Sequence, residues 1–183
     1  MKLPNLDEAR KRTKNDIEHI FLDQSYNKET FTNKKYFLRT YGCQMNVHDS
    51  EEIAARLESL GFTSTEELEQ ADIVILNTCA IRENAHDKLY GFLGRCKHEK
   101  EKNNPNLIIG ICGCMAQEEN VVKELMTKHK YVDIVFGTHN IHELQELILN
   151  KETKQNIQVY SCEGSVYENI SYKRDSNIKA WVN

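Results

Sequence analysis

The sequence predicts an α/β domain, an open parallel sheet of about four or five strands with helices on both faces, in a Rossmann-like three-layer sandwich. Three observations carry this expectation. Apolar runs of strand length alternate with segments whose apolar residues recur at three- and four-residue spacing. The run at 73–76 shows no polar alternation, which marks a strand covered on both faces. Each run also ends in a short polar exit, and three of these exits carry a cysteine, Cys43, Cys79 and Cys114, at nearly equal intervals of about one strand-helix-return unit.

Taken in order, residues 1–34 form an amino-terminal arm, slightly basic within an acidic chain, where Ile17, Ile20 and Phe21 have the spacing of one amphipathic helix over about residues 7–23. The domain proper is expected over 35–150. Its first strand covers 36–40, and Gly42 lets the backbone turn before Cys43. Asp49 and Glu52 have capping-box spacing, and Ile53, Ala54, Leu57 and Leu60 then share one helical face, ended by Gly61 as a left-handed cap. An acidic connection over 63–70 leads to the second strand, 73–77. A second helix from about Arg82 turns Ala85, Leu89, Phe92, Leu93 and Cys96 inward before the charged run 97–104. The third strand covers 107–111 and its helix 117–129, with Val121, Val122, Leu125 and Met126 inward. The fourth unit is shorter: a strand at 133–136, a cap from Asn140 and Glu143, and an apolar face of Ile141, Leu144, Leu147 and Ile148. Residues 157–160 suit an edge strand, and 151–183 otherwise read as a linker of turn-like composition leading into further sequence.

Hydrophobic residues make up 39% and charged residues 28%, ordinary for a soluble protein. A formal net charge of −4 argues against a general nucleic-acid binder, whose affinity comes from neutralising phosphates. No apolar stretch approaches the roughly 20 residues a membrane-spanning helix needs, and the first residues lack the apolar core of a secretory signal. Six cysteines in a chain with enough apolar residues to fold unaided suit the cytoplasm and a metal site better than a disulfide scaffold.

In an open parallel sheet the strand exits share one edge, so Cys43, Cys79 and Cys114 are candidate ligands of one metal centre. Three thiolates leave one position of a four-iron four-sulfur cluster without a protein ligand, whereas a structural zinc site takes four protein ligands. The residues alone leave that choice open. Cys112 reads as buried or supporting, Cys96 as core and Cys162 as incidental, with His139 as a loop residue at the fourth exit. Gln44, Asn46, Asn77, Arg82 and Gln117 flank the thiols, either capping local backbone or forming a polar shell around a bound group.

Three stretches carry a resemblance: Thr40-Tyr41-Gly42-Cys43-Gln44-Met45-Asn46 with Asp49-Ser50-Glu51 behind it, Asn77-Thr78-Cys79-Ala80-Ile81-Arg82-Glu83, and Gly113-Cys114-Met115-Ala116-Gln117. Together they resemble the amino-terminal domain of the radical S-adenosylmethionine tRNA methylthiotransferases, which place a methylthio group on N6-isopentenyladenosine next to the anticodon. The resemblance covers about 35–149. It implies an auxiliary four-iron four-sulfur cluster held by Cys43, Cys79 and Cys114, with an open iron that takes part in sulfur delivery; the flanking Asn46, Asn77, Arg82 and Gln117 are candidates for the polar shell of such a cluster.

The family also carries S-adenosylmethionine and a second such cluster on a Cys-x-x-x-Cys-x-x-Cys motif in a downstream barrel, followed by an RNA-binding domain. The six cysteines here contain no such motif. The resemblance therefore implies that this chain by itself is inactive, that tRNA is the partner of the full-length enzyme, and that this piece binds RNA weakly or not at all. The rival class is a non-catalytic iron-sulfur or zinc-binding module. A flavodoxin-like nucleotide domain suits the fold but not the exits, which lack a glycine and hydroxyl run to wrap a phosphate.

Overall fold

The computed structural model describes residues 18–21, 30–80, 85–149, 156–159 and 165–168 of the 183-residue chain. The described strands are β1 (Glu18–Phe21), β2 (Lys35–Tyr41), β3 (Thr63–Ser64), β4 (Ile73–Thr78), β5 (Ile108–Cys112), β6 (Ile134–Phe136), β7 (Asn156–Gln158) and β8 (Ser165–Glu168). The helices are α1 (Gln44–Ser59), α2 (Ala85–Lys102), α3 (Glu119–Lys128) and α4 (Leu144–Leu149). Short 3-10 turns cover Leu68–Gln70, Cys114–Gln117 and Thr138–Glu143.

The larger of two compact units is a six-stranded parallel sheet in the order β3-β2-β4-β5-β6-β7. It has one strand more than expected, because the acidic connection contributes β3 at one edge, while the edge strand expected at 157–160 is β7, over Asn156–Gln158, at the other. Central β4 is buried at every position, as its unbroken apolar run requires. Ile53, Leu57 and Leu60 of α1 and Leu144, Leu147 and Ile148 of α4 pack with Ile73, Ile75, Ile134 and Phe136. Leu89, Phe92 and Leu93 of α2 and Val121 and Leu125 of α3 pack with Val74, Leu76, Ile109 and Ile111. Alternate side chains of the same strands thus feed two cores, and the three-layer expectation holds.

Helix α1 starts earlier than Asp49 and Glu52 suggested. Its N-cap is Cys43, and the capping partner three residues on is Asn46, so Asp49 and Glu52 lie inside the helix. The far end matches the sequence: Gly61 has φ 100°, with Gly61 N–H donating to Glu58 O and Phe62 N–H to Leu57 O, the pairing of a Schellman cap. Met126, expected inward, is 51% exposed because α3 meets the sheet through Val121 and Leu125. Asn140 and Glu143 bond each other inside a 3-10 turn that begins after Gly137, so they do not cap α4.

The smaller unit is described only by β1 and β8, paired in parallel with Glu18 opposite Ser165 and Phe21 opposite Glu168. This corrects two expectations. Residues 18–21 are strand rather than part of a helix over 7–23, and 165–168 are strand rather than turn. A three-residue apolar cluster does not distinguish the two periods, and the backbone partner lies at the opposite end of the sequence, out of reach of local spacing. The remaining residues of that helix, most of 151–183, Arg82 and Cys162 lie outside the described residues.

Two leucines calibrate the core. Leu93 is fully buried and Leu149 is 46% exposed. Leu93→Ala is expected to lower unfolding free energy by about 2–5 kcal/mol and Leu149→Ala by less than about 0.5 kcal/mol, measured by urea denaturation of the two variants against the parent chain.

Candidate functional site

After β2 the chain turns outward through α1 to β3, whereas after β4 it turns the other way through α2 to β5, and α1 and α2 lie on opposite faces. The strand order therefore reverses between β2 and β4, which opens a crevice at their carboxyl ends. Cys43 and Cys79 leave from those two ends, and Cys114 follows the end of β5 one strand further on. Register keeps the exits level, with Tyr41 opposite Thr78 and Asn77 opposite Cys112.

Cys43 is half-exposed at the N-terminus of α1. Hydrogen bonds from first-turn amides, that of Asn46 foremost, hold its thiol below the ordinary range, helped by a bond from the Cys79 thiol. Cys79 is buried, and its N–H donates to Tyr41 O at 2.9 Å. Cys114 is half-buried and its sulfur accepts the Ala80 N–H at 3.1 Å. Burial raises the Cys114 thiol, the Ala80 amide opposes that rise, and the neighbouring Cys79 thiol adds to it. The Cys79 thiol thus lies near enough to Cys43 and to Cys114 to bias the titration of both. Among the described residues no three His, Cys, Asp or Glu side chains are arranged around a single metal ion.

The exits are tied to one another by buried polar groups. Asn46 Oδ1 accepts the Cys43 N–H at 3.1 Å, and Asn46 Nδ2 donates to Asn77 Oδ1 at 3.0 Å and to Thr78 O at 3.4 Å. Asn77 Nδ2 returns bonds to Asn46 O at 2.8 Å and Ser50 Oγ at 3.0 Å, and Ser50 shares a 2.7 Å bond with Thr40. The third exit is fastened to the second, since Thr78 Oγ1 donates to Cys112 O at 2.9 Å. Gly113 makes this closeness possible: its φ is 98°, and a Cβ there would stand 2.2 Å from Thr78 O.

The structure separates the other candidates. Cys112 faces the core beside Ile53 and Phe136, and burial pushes its thiol well up. Cys96 is buried in the opposite core, its thiol pushed up to about 12. Gln117 packs over Gly137 at the fourth exit, His139 and Gln44 are exposed, and Arg82 lies outside the described residues. Sequence reasoning missed Ser50 and Thr40. The available signal was Ser50 four residues after Asn46 on the face that Ile53 and Leu57 continue. Asp49, expected as a cap, is instead a carboxyl enclosed within the helix and pushed up to about 7, first by burial and then by Glu52.

Residues 35–137, which contain all three exit cysteines, match the family described as "Uncharacterized protein family UPF0004". The chain belongs to that family. UPF0004 membership agrees with the amino-terminal-domain resemblance carried by the three motifs. Similar curated proteins are the tRNA-2-methylthio-N(6)-dimethylallyladenosine synthases of Bacillus velezensis (47% identical over 186 residues), Bacillus cereus (49% over 186) and Staphylococcus saprophyticus (46% over 187). Each alignment takes in 98% of this chain and 36% of the relative, so the chain spans about a third of their length.

Two outcomes follow from this UPF0004 site. Asn77→Ala removes two donated bonds and one accepted bond inside a dry network and is expected to cost about 2–4 kcal/mol in thermal or urea unfolding. Asp49 has its folded pKa raised from 3.8 to about 7, so its stabilising contribution is full below pH 3.8 and disappears as pH rises through 7. The parent chain should therefore lose stability relative to Asp49→Asn between pH 4 and 8, by at most roughly 4 kcal/mol, measured as the difference between the two urea midpoints across that range.

Proposed function

We propose that this chain is the amino-terminal auxiliary-cluster domain of a tRNA-2-methylthio-N6-dimethylallyladenosine synthase, the enzyme that methylthiolates N6-isopentenyladenosine next to the anticodon. The observation that carries this reading is the placement of Cys43, Cys79 and Cys114 at three neighbouring strand exits, Cys79 near enough to bias both other thiols, within the segment shared with UPF0004. Identity of 46–49% to synthases over nearly the whole chain supports the substrate class.

The residues fit a four-iron four-sulfur cluster better than a zinc ion. Zinc needs four donors around one point, and no such grouping exists among the described residues. In a cubane each thiolate binds a different iron, so the donors form a spread set and three of them leave one iron open. When bound, the cluster supplies that open iron as a place where sulfur is held for transfer. Around it, the first-turn amides stabilise the Cys43 thiolate and the Ala80 N–H does the same for Cys114. Asn46 and Asn77 hold the first two exits at a fixed separation. Arg82 is assigned to the same surroundings from its place three residues after Cys79 in the sequence, whereas Gln117 packs over Gly137 at the fourth exit.

The radical half of the reaction is assigned to sequence outside this chain. In this reading S-adenosylmethionine and a second four-iron four-sulfur cluster are held by another part of the full-length enzyme; the cysteines of this chain, at 43, 79, 96, 112, 114 and 162, form no Cys-x-x-x-Cys-x-x-Cys motif. In the full-length enzyme tRNA is the partner, and RNA affinity resides mainly in a further carboxyl-terminal domain. This acidic piece contributes little, and the setting is cytoplasmic. No described helix is long and apolar enough to cross a membrane.

Anaerobic reconstitution with iron and sulfide tests the reading. The expected result is about four irons and four sulfides per chain, with a cubane Mössbauer spectrum. Cys43→Ala, Cys79→Ala or Cys114→Ala should abolish it, while Cys96→Ala and Cys162→Ala should retain it. The loaded chain given S-adenosylmethionine and tRNA should release no methylthiolated product. A cluster that survives Cys79→Ala but is lost in Cys96→Ala overturns the assignment.

A further inference from the structure

A cavity of about 210 Å³ lies between α1 and the β2–β3 edge, away from the thiols. Its lining includes Leu38, Thr40, Ser50, Glu51, Thr65 and Glu66, and no Lys, Arg or His among the described residues. Glu51 is the unusual member. It is 7% exposed, yet it makes no hydrogen bond or ion pair among the described residues. The other buried carboxylates are held: Glu52 by Arg56 at 2.7 Å and Glu99 by Asn103 at 2.8 Å. The Glu51 side chain lines the cavity, and nothing among the described residues neutralises it there. A carboxylate withdrawn from bulk water without a partner is costly, and a cation beside it recovers that cost through a charge-assisted hydrogen bond.

The walls narrow the class of cation. Exposed Glu66 adds a second negative charge, and the hydroxyls of Thr40, Ser50 and Thr65 add acceptors. Leu38, Ala54 and the Tyr36 ring form an apolar side suited to methylene groups. A bare divalent ion fits poorly, because no three acidic, His or Cys side chains converge among the described residues. We propose that this cavity binds the alkylammonium end of a small aliphatic diamine or polyamine, with Glu51 as the counter-ion and Leu38 and Ala54 against the alkyl stem. Ser50 is shared between this cavity and the Asn77 amide, so the occupant sits directly behind the polar network of the strand exits.

Calorimetric titration of the 183-residue chain with 1,4-diaminobutane at low salt tests this. One saturable site is expected, weakened at least tenfold in Glu51→Gln and unchanged in Glu118→Gln, an exposed acidic position outside the cavity. The uncharged 1,4-butanediol should not bind. Amide resonances of Ser50, Ser64 and Thr65 in the parent chain should shift with the same saturation, which keeps the test valid if Glu51→Gln does not fold. Absence of saturation, equal weakening in both variants, shifts confined to other residues, or displacement of the diamine by stoichiometric magnesium would each overturn the proposal. None of these readouts involves iron, so the result is independent of the cluster reading.

Discussion

Everything at the carboxyl edge of the sheet depends on the seam between β2 and β4, and the contact that closes this seam is the pair of buried amides Asn46 and Asn77. The two strands are paired from Tyr36 opposite Ile73 to Tyr41 opposite Thr78, and the Cys79 N–H to Tyr41 O bond extends that backbone contact by one step. The following helices then leave on opposite faces, and the ladder stops. Asn46 and Asn77 continue the connection with side chains, exchanging bonds of 3.0 and 2.8 Å while each is almost fully buried. In such a dry site a satisfied network is rigid and an unsatisfied one costly, so the two exits keep one relative position.

That rigidity explains why residues of one chemical type behave differently. Cys43 lies where unpaired amides of a helix start converge, and its thiol is held low. Cys114 receives one amide but is also raised by burial and by Cys79. Cys96 and Cys112 sit among apolar side chains, which push their thiols up and leave them inert. Cys112 and Cys114 stand two positions apart, yet the left-handed turn at Gly113 sends one into the core and the other to the edge.

Helix α1 carries an unusual polar load because it is enclosed on three sides. One side faces the sheet through Ile53 and Leu57, another meets α4, and the third borders the cavity beside β3. Consecutive residues 50–54 are consequently buried, including Ser50, Glu51 and Glu52. Arg56 neutralises Glu52 and reaches His142 O, while Gln145 of α4 bonds Ser59 Oγ at 2.6 Å, so polar contacts fasten α1 to its neighbour where apolar ones end.

The layer order and the position of Cys43, Cys79 and Cys114 at strand ends were legible in the sequence, because both rest on short-range signals. Unbroken apolar runs mark buried strands, three- and four-residue spacing marks helices, and Cys43, Cys79 and Cys114 each follow a strand end. The same locality misplaced the start of α1, since Asp49 and Glu52 imitate a capping box that Cys43 and Asn46 form in fact. It also offered no view of β1 against β8, or of β3 joining the sheet, because pairing partners are chosen by the whole chain. Only the tertiary structure decided that Asn46 meets Asn77, that Ser50 stands behind both, and that Glu51 opens on a cavity. Those contacts join residues from different elements whose relative placement is set by sheet register and helix packing, quantities that no local stretch of sequence contains.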